Sequence, residues 1–173
     1  MKKSVFLSVA AAIALWSGTA TAQESNNRVA GNTDWSVFTE PSPKECWAVT
    51  EPKETVNTRG GQVVDVRRSE ILLMVFFRPT ANVAGQVAFT GGYSFANGRN
   101  ISLDIDGRKF EMVTKGEWAW PASPADDARV LAAMKRGKSA KITAQSARGT
   151  TTNDTFSLLG VTAAVDEAAR QCG

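Results

Sequence analysis

The chain has few residues that could do chemistry. It has two cysteines, Cys46 and Cys172, and no histidine among its 173 residues. That excludes a Ser-His-Asp triad, a Cys-His pair and a His-ligated metal, and two Cys cannot build a four-Cys zinc site. No G-x-S-x-G, S-x-x-K, P-loop or G-x-G-x-x-G occurs. Carboxylates and aromatic rings remain. Asp104 and Asp106 could form a carboxylate pair of the glycosidase kind, but Asp106 falls in a turn, so a solvated strand face plus a turn aspartate is the competing reading. Asp126 and Asp127 read as first-turn residues of a helix. Trp118-Ala119-Trp120-Pro121 is the most suggestive local feature. In an extended segment both indoles lie on one face and, with Tyr93, make a candidate platform for a sugar or a Pro-rich peptide. The competing reading buries Trp118 and Trp120 as core plugs.

The elements that position these residues begin after an export signal. Lys2 and Lys3 precede an apolar stretch from Val5 to Trp16, and Ala20 and Ala22 give an A-x-A cleavage pattern. Residues 1–22 therefore read as a signal peptide cut between Ala22 and Gln23, and the apolar stretch is too short to span a bilayer. Residues 23–31 read as a flexible leader and 32–173 as one domain. About 150 mature residues make one ordinary domain with its own core. The net charge of +3 falls to near balance once Lys2 and Lys3 leave, so nucleic-acid binding gains no support. Export into an oxidising compartment makes a Cys46–Cys172 disulfide the expected state. It would close nearly the whole domain into one loop, a contribution of about 4–5 kcal/mol on the chain-entropy model. Two free thiols are the alternative.

Strand signals dominate the mature chain. Trp35 and Val37 alternate with polar residues, Cys46 to Thr50 reads as a strand buried on both faces, and Val63 to Val66 follows a Gly60-Gly61 turn. Ile71 to Phe77 is the clearest core strand. Val87 and Phe89 alternate, and Asp106-Gly107 predicts a hairpin between Ile101–Ile105 and the strand carrying Phe110 and Met112. Arg67, Arg68 and Arg78 read as strand-end surface charges. Ser123 as cap, Pro124 at the first position and Gly137 beyond the end predict a helix over 123–136. Val161, Ala164, Val165 and Ala168 predict a second over 160–171. Ala140 to Ala144 and Thr155 to Leu159 complete about nine short strands. With no β-α-β alternation, the pattern is mainly β, an antiparallel sandwich with two short helices.

Several segments in order resemble the invasion-associated locus B family. They are Asp34-Trp35-Ser36-Val37-Phe38, Pro43 to Trp47, Thr90-Gly91-Gly92-Tyr93-Ser94-Phe95, Trp118 to Pro121, Ala133 to Gly137, Ser146 to Thr150, Asp154 to Leu158, Ala163-Ala164 and Cys172. The resemblance implies an exported protein of Gram-negative bacteria with an immunoglobulin-like β-sandwich, and it carries over no catalytic residues. The expectation is a non-enzymatic envelope protein acting through surface contacts. It would lie in the periplasm, at the outer-membrane periphery or outside the cell. No cofactor, metal or nucleic acid is expected, and the partner would be a protein or another envelope component. A carboxylate-dependent envelope hydrolase, or a sugar- or peptide-binding module using exposed Trp residues, is the alternative.

Overall fold

The computed structural model describes residues 27–173. The expected signal peptide and its Ala22–Gln23 cleavage site lie outside the described residues. In chain order the elements are β1 (Arg28–Asn32), β2 (Trp35–Pro41), β3 (Lys44–Thr50), β4 (Glu54–Arg59), β5 (Gln62–Val63), β6 (Leu72–Arg78) and β7 (Val83–Thr90). There follow β8 (Ile101–Ile105), β9 (Arg108–Lys115), β10 (Trp118–Trp120), α1 (Pro124–Met134), β11 (Ser139–Gln145), β12 (Thr151–Ser157) and α2 (Val161–Cys172). All pairings between these strands are antiparallel, in the order β1-β2-β3-β6-β7-β10-β9-β8-β11-β12-β4-β5.

The strands thus make one continuous twelve-stranded sheet, where about nine strands in a two-sheet sandwich were expected. Three strands escaped the sequence signal. β1 covers the end of the stretch read as leader, from Arg28 to Gly31, and is an edge strand paired along β2. β4 has Val56 as its one apolar residue and is held by main-chain pairing to β12. β10 is three residues long. Conversely, the expected Val63–Val66 strand shrinks to Gln62–Val63, with Val63 77% exposed.

The sheet curls over on itself. β7 and β12 stand five places apart in the order. A flat sheet would separate them by roughly 24 Å at about 4.8 Å per strand. Yet the rings of Phe89 and Phe156 lie edge to face with centroids 6.0 Å apart. The Trp35 indole N–H likewise donates to the Ser157 carbonyl at 3.1 Å, tying β2 to β12. The enclosed core takes Val37, Ala48, Val75 and Phe89 from one half, Leu103, Ile142 and Phe156 from the other, and the apolar stripes of both helices.

The helices form as their sequences dictate. Ser123 caps α1, its hydroxyl accepting from Asp126 N–H, with Pro124 at the start. α2 starts after Gly160, whose φ is +94°; a Cβ there would sit 2.0 Å from the Asn32 carbonyl oxygen, so only glycine fits. Cys172 at the end of α2 is bonded to Cys46 on β3, with the Cα atoms 5.8 Å apart across a separation of 126 residues.

Candidate functional site: an outer aromatic face and an arginine-lined pocket

Directly opposed residues of neighbouring strands share one face of a sheet. Phe38, Trp47, Phe76 and Gln86 are opposed in that way across β2, β3, β6 and β7. Ser36, Val49, Met74 and Ala88 form the next row, and Leu72, Thr90 and Trp118 run on to β10. None of these belongs to the enclosed core, and both helices pack against the opposite face, with Val37, Ala48 and Phe89. The rows therefore form a second apolar cluster on the outside of the sheet. Phe38 stacks on Trp47 with centroids 5.7 Å apart, and Trp47 meets Phe76 at 6.3 Å. Arg78 lies 4.2 Å over the Phe76 ring and pairs with Glu45 at 3.0 Å.

A groove of about 580 Å³ opens at one end of this face, floored by Phe38, Trp47, Val49 and Leu72. Its rim is polar and mostly acidic: Asp34, Glu51, Glu70 and Lys53. Lys53 is spent on Asp34 at 2.6 Å, and that bond holds the Asp34 carboxyl below its ordinary value. Glu51 and Glu70 are exposed and have no ion-pair partner among the described residues.

A second concavity, of about 320 Å³, is built on a buried ion pair. Arg68 grips the Asp154 carboxylate with both terminal nitrogens, at 2.7 and 2.6 Å, and Asp154 is fully buried. Its Nε donates to the Gly91 carbonyl, one Nη also reaches Asn57, and the guanidinium lies 5.0 Å over the Tyr93 ring. The Tyr93 hydroxyl and Thr152 share a 2.6 Å hydrogen bond, and burial pushes the phenol above its ordinary value. Gly92 is required here: its φ is +71°, and a Cβ would lie 2.6 Å from the Ser69 carbonyl oxygen. Arg68 and Arg78 are thus not free surface charges, as the sequence reading had them.

Residues 35–169 match the family model described as Invasion associated locus B (IalB) protein. The chain belongs to the IalB family. Its fold is similar to that in the crystal structure of invasion associated protein B from Bartonella henselae. The TM-score is 0.53 at 18% identity, covering 82% of this chain and 95% of that one. No curated protein matches the chain.

In this IalB-family chain the sequence-predicted site residues separate. Trp118 is 41% exposed and Trp120 half-buried, while Ala119 between them faces the core, so the indoles do lie on one outer face. Tyr93 does not join them; it turns inward, edge-on to core Phe95, with centroids 5.2 Å apart. The indoles instead end the aromatic face that begins at Phe38. The alternation Trp47-x-Val49 was its signal, but it reads equally as a strand covered on both sides. Asp104 and Asp106 form no reacting pair. Asp104 accepts from Gly107 N–H at 2.6 Å within the turn, and Asp106 accepts from Lys138 and Ser139 N–H at 2.7 and 3.2 Å. Asp127 does more than sit in a first turn. It is buried, accepts from Val87 N–H at 2.8 Å, and burial pushes its carboxyl up to about 6. The disulfide fits an extracytoplasmic location.

Proposed function

We propose that this IalB-family protein is an exported, non-enzymatic envelope component, periplasmic or peripheral to the outer membrane, that works by binding a polypeptide segment along its outer aromatic face. The carrying observation is the apolar face that runs over β2, β3, β6, β7 and β10 on the side away from both helices. Its centre is closed, with Met74, Phe76 and Ala88 buried, and what stays accessible is the half-buried Phe38, Trp47, Val49 and Leu72 and exposed Trp118. Apolar side chains left accessible together outside the core mark interaction sites. Aromatic rings supply contact area at low entropic cost. Two unpaired carboxylates on the groove rim, Glu51 and Glu70, select the charge of the occupant. It is an extended segment with apolar side chains flanked by Lys or Arg.

Peptides alternating Leu or Trp with Lys, and the same peptides with Glu for Lys, test this by fluorescence anisotropy. The basic set is expected to bind at least about tenfold more tightly, an advantage lost in Glu51→Lys/Glu70→Lys. Both positions are exposed, so the fold should not change. Equal binding of the two sets, or binding of neutral oligosaccharides in preference to both, would overturn the reading.

A further inference from the structure

The arginine-lined pocket is independent of the aromatic face. Segments distant in the sequence meet in it: the end of β4 brings Arg59, the stretch between β5 and β6 brings Arg67, and the β11–β12 turn brings Arg148. Arg68 lies beneath them, its charge cancelled by Asp154. The other three are not cancelled. Arg59, Arg67 and Arg148 have no ion-pair partner among the described residues, and Glu117 is the one carboxylate that shares the pocket lining with them. The pocket therefore carries a surplus of two positive charges. Three like charges around one concavity repel each other, and among the described residues Glu117 is the one carboxylate in the lining to offset this.

One of the three, Arg59, is also pre-set. Thr150 Oγ1 accepts from Arg59 Nη2 at 2.8 Å and Nε at 3.3 Å, which fixes the guanidinium plane and leaves Nη1 free to donate. Ser94 and Thr152 add hydroxyls to the lining. Guanidinium forks match the oxygen spacing of phosphate, and a phosphomonoester carries about −1.5 to −2 at pH 7, which the surplus balances. From this juxtaposition of Arg59, Arg67 and Arg148 over the Arg68–Asp154 base, we infer that the pocket binds a phosphomonoester or inorganic phosphate group. The group belongs either to a small soluble ligand or to a lipid headgroup, and Arg68 positions the site without touching the anion.

The test uses the purified protein at low ionic strength. Inorganic phosphate is titrated by calorimetry, and flotation is run with phosphatidylcholine vesicles with and without phosphatidic acid. Saturable phosphate binding that falls at least about tenfold in Arg67→Ala/Arg148→Ala, at an unchanged melting temperature, is the expected result for a soluble ligand. Flotation that requires phosphatidic acid and shows the same loss, without binding of inorganic phosphate, assigns the headgroup instead. Both arginines are exposed, so neither substitution threatens folding. The inference is overturned if no probe binds, if the double variant binds as well as the parent, or if citrate binds as tightly as inorganic phosphate.

Discussion

The aromatic face and the arginine pocket are opposite in charge and in how they are made. The face is assembled from neighbours in the sheet, whose side chains line up because the ladder fixes their register. The pocket is assembled from loops and strand ends with no shared register, clamped by one buried ion pair. A face held by register should tolerate the loss of any one exposed ring. A pocket held by one pair should fail when that pair is broken. Removing the Arg68 side chain leaves Asp154 charged and uncompensated in the interior, so Arg68→Met should cost about 3–5 kcal/mol in urea unfolding. Adding Asp154→Leu removes the orphaned charge and should recover part of the loss. A cost below about 1 kcal/mol for Arg68→Met would show that the clamp is not what holds these segments.

The disulfide secures the other region. Cys46 lies on β3 beside Trp47 and joins the inner face to the end of α2, which covers β2 and β3. Replacing both cysteines by serine should cost about 2–5 kcal/mol by releasing so long a loop in the unfolded chain. An unchanged urea midpoint with and without reductant would contradict this.

The difference between the two regions also decides what the sequence could disclose. Period-two alternation marked β2, β3, β8 and β11, a continuous apolar run marked β6, and cap chemistry for α1 and an apolar stripe for α2 placed both helices to within one or two residues. The same alternation contained the aromatic face, but Trp47 and Val49 carry no sign of whether a second layer covers them. The pocket had no local signal. Arg68 and Asp154 lie 86 positions apart, Arg68 reads as a surface charge, and nothing next to either points to the other. The strand count fell short where pairing is main-chain work, as in polar β4 on β12. Tyr93 looked like a partner for the indoles, but a ring after Gly91-Gly92 can turn either way, and the Arg68 guanidinium and Thr152 draw it inward.

A smaller effect should appear with pH at the junction of α1 and β7. The Asp127 carboxyl titrates near 6 in the folded chain, raised by burial, opposed by the Val87 N–H bond and raised further by Asp126. The folded state therefore binds more protons than the unfolded state between about pH 4 and 6, and stability from this group falls as pH rises through that window. Asp127→Asn keeps an oxygen to accept from Val87 and cannot ionise. Its stability should lose that slope relative to the parent, read as the difference between two urea midpoint-against-pH curves. Identical slopes would mean that Asp127 titrates as an ordinary exposed carboxyl.

The smallest effect falls within the aromatic face itself. Trp47 is half-buried between Phe38 and Phe76, so Trp47→Ala removes two ring contacts and should cost about 1–3 kcal/mol, below the cost of a fully buried indole. Trp118 is 41% exposed at the far end of the same face, beside Thr90. Its main-chain pairing to β7 and β9 does not depend on the side chain. Trp118→Ala should leave stability within about 0.5 kcal/mol. If it proves as costly as Trp47→Ala, Trp118 serves to pack β10 against β7 rather than to meet a partner, and the binding face contracts to the groove floored by Phe38, Trp47, Val49 and Leu72. If it is silent in stability and weakens binding of the basic peptides, the face extends across all five strands.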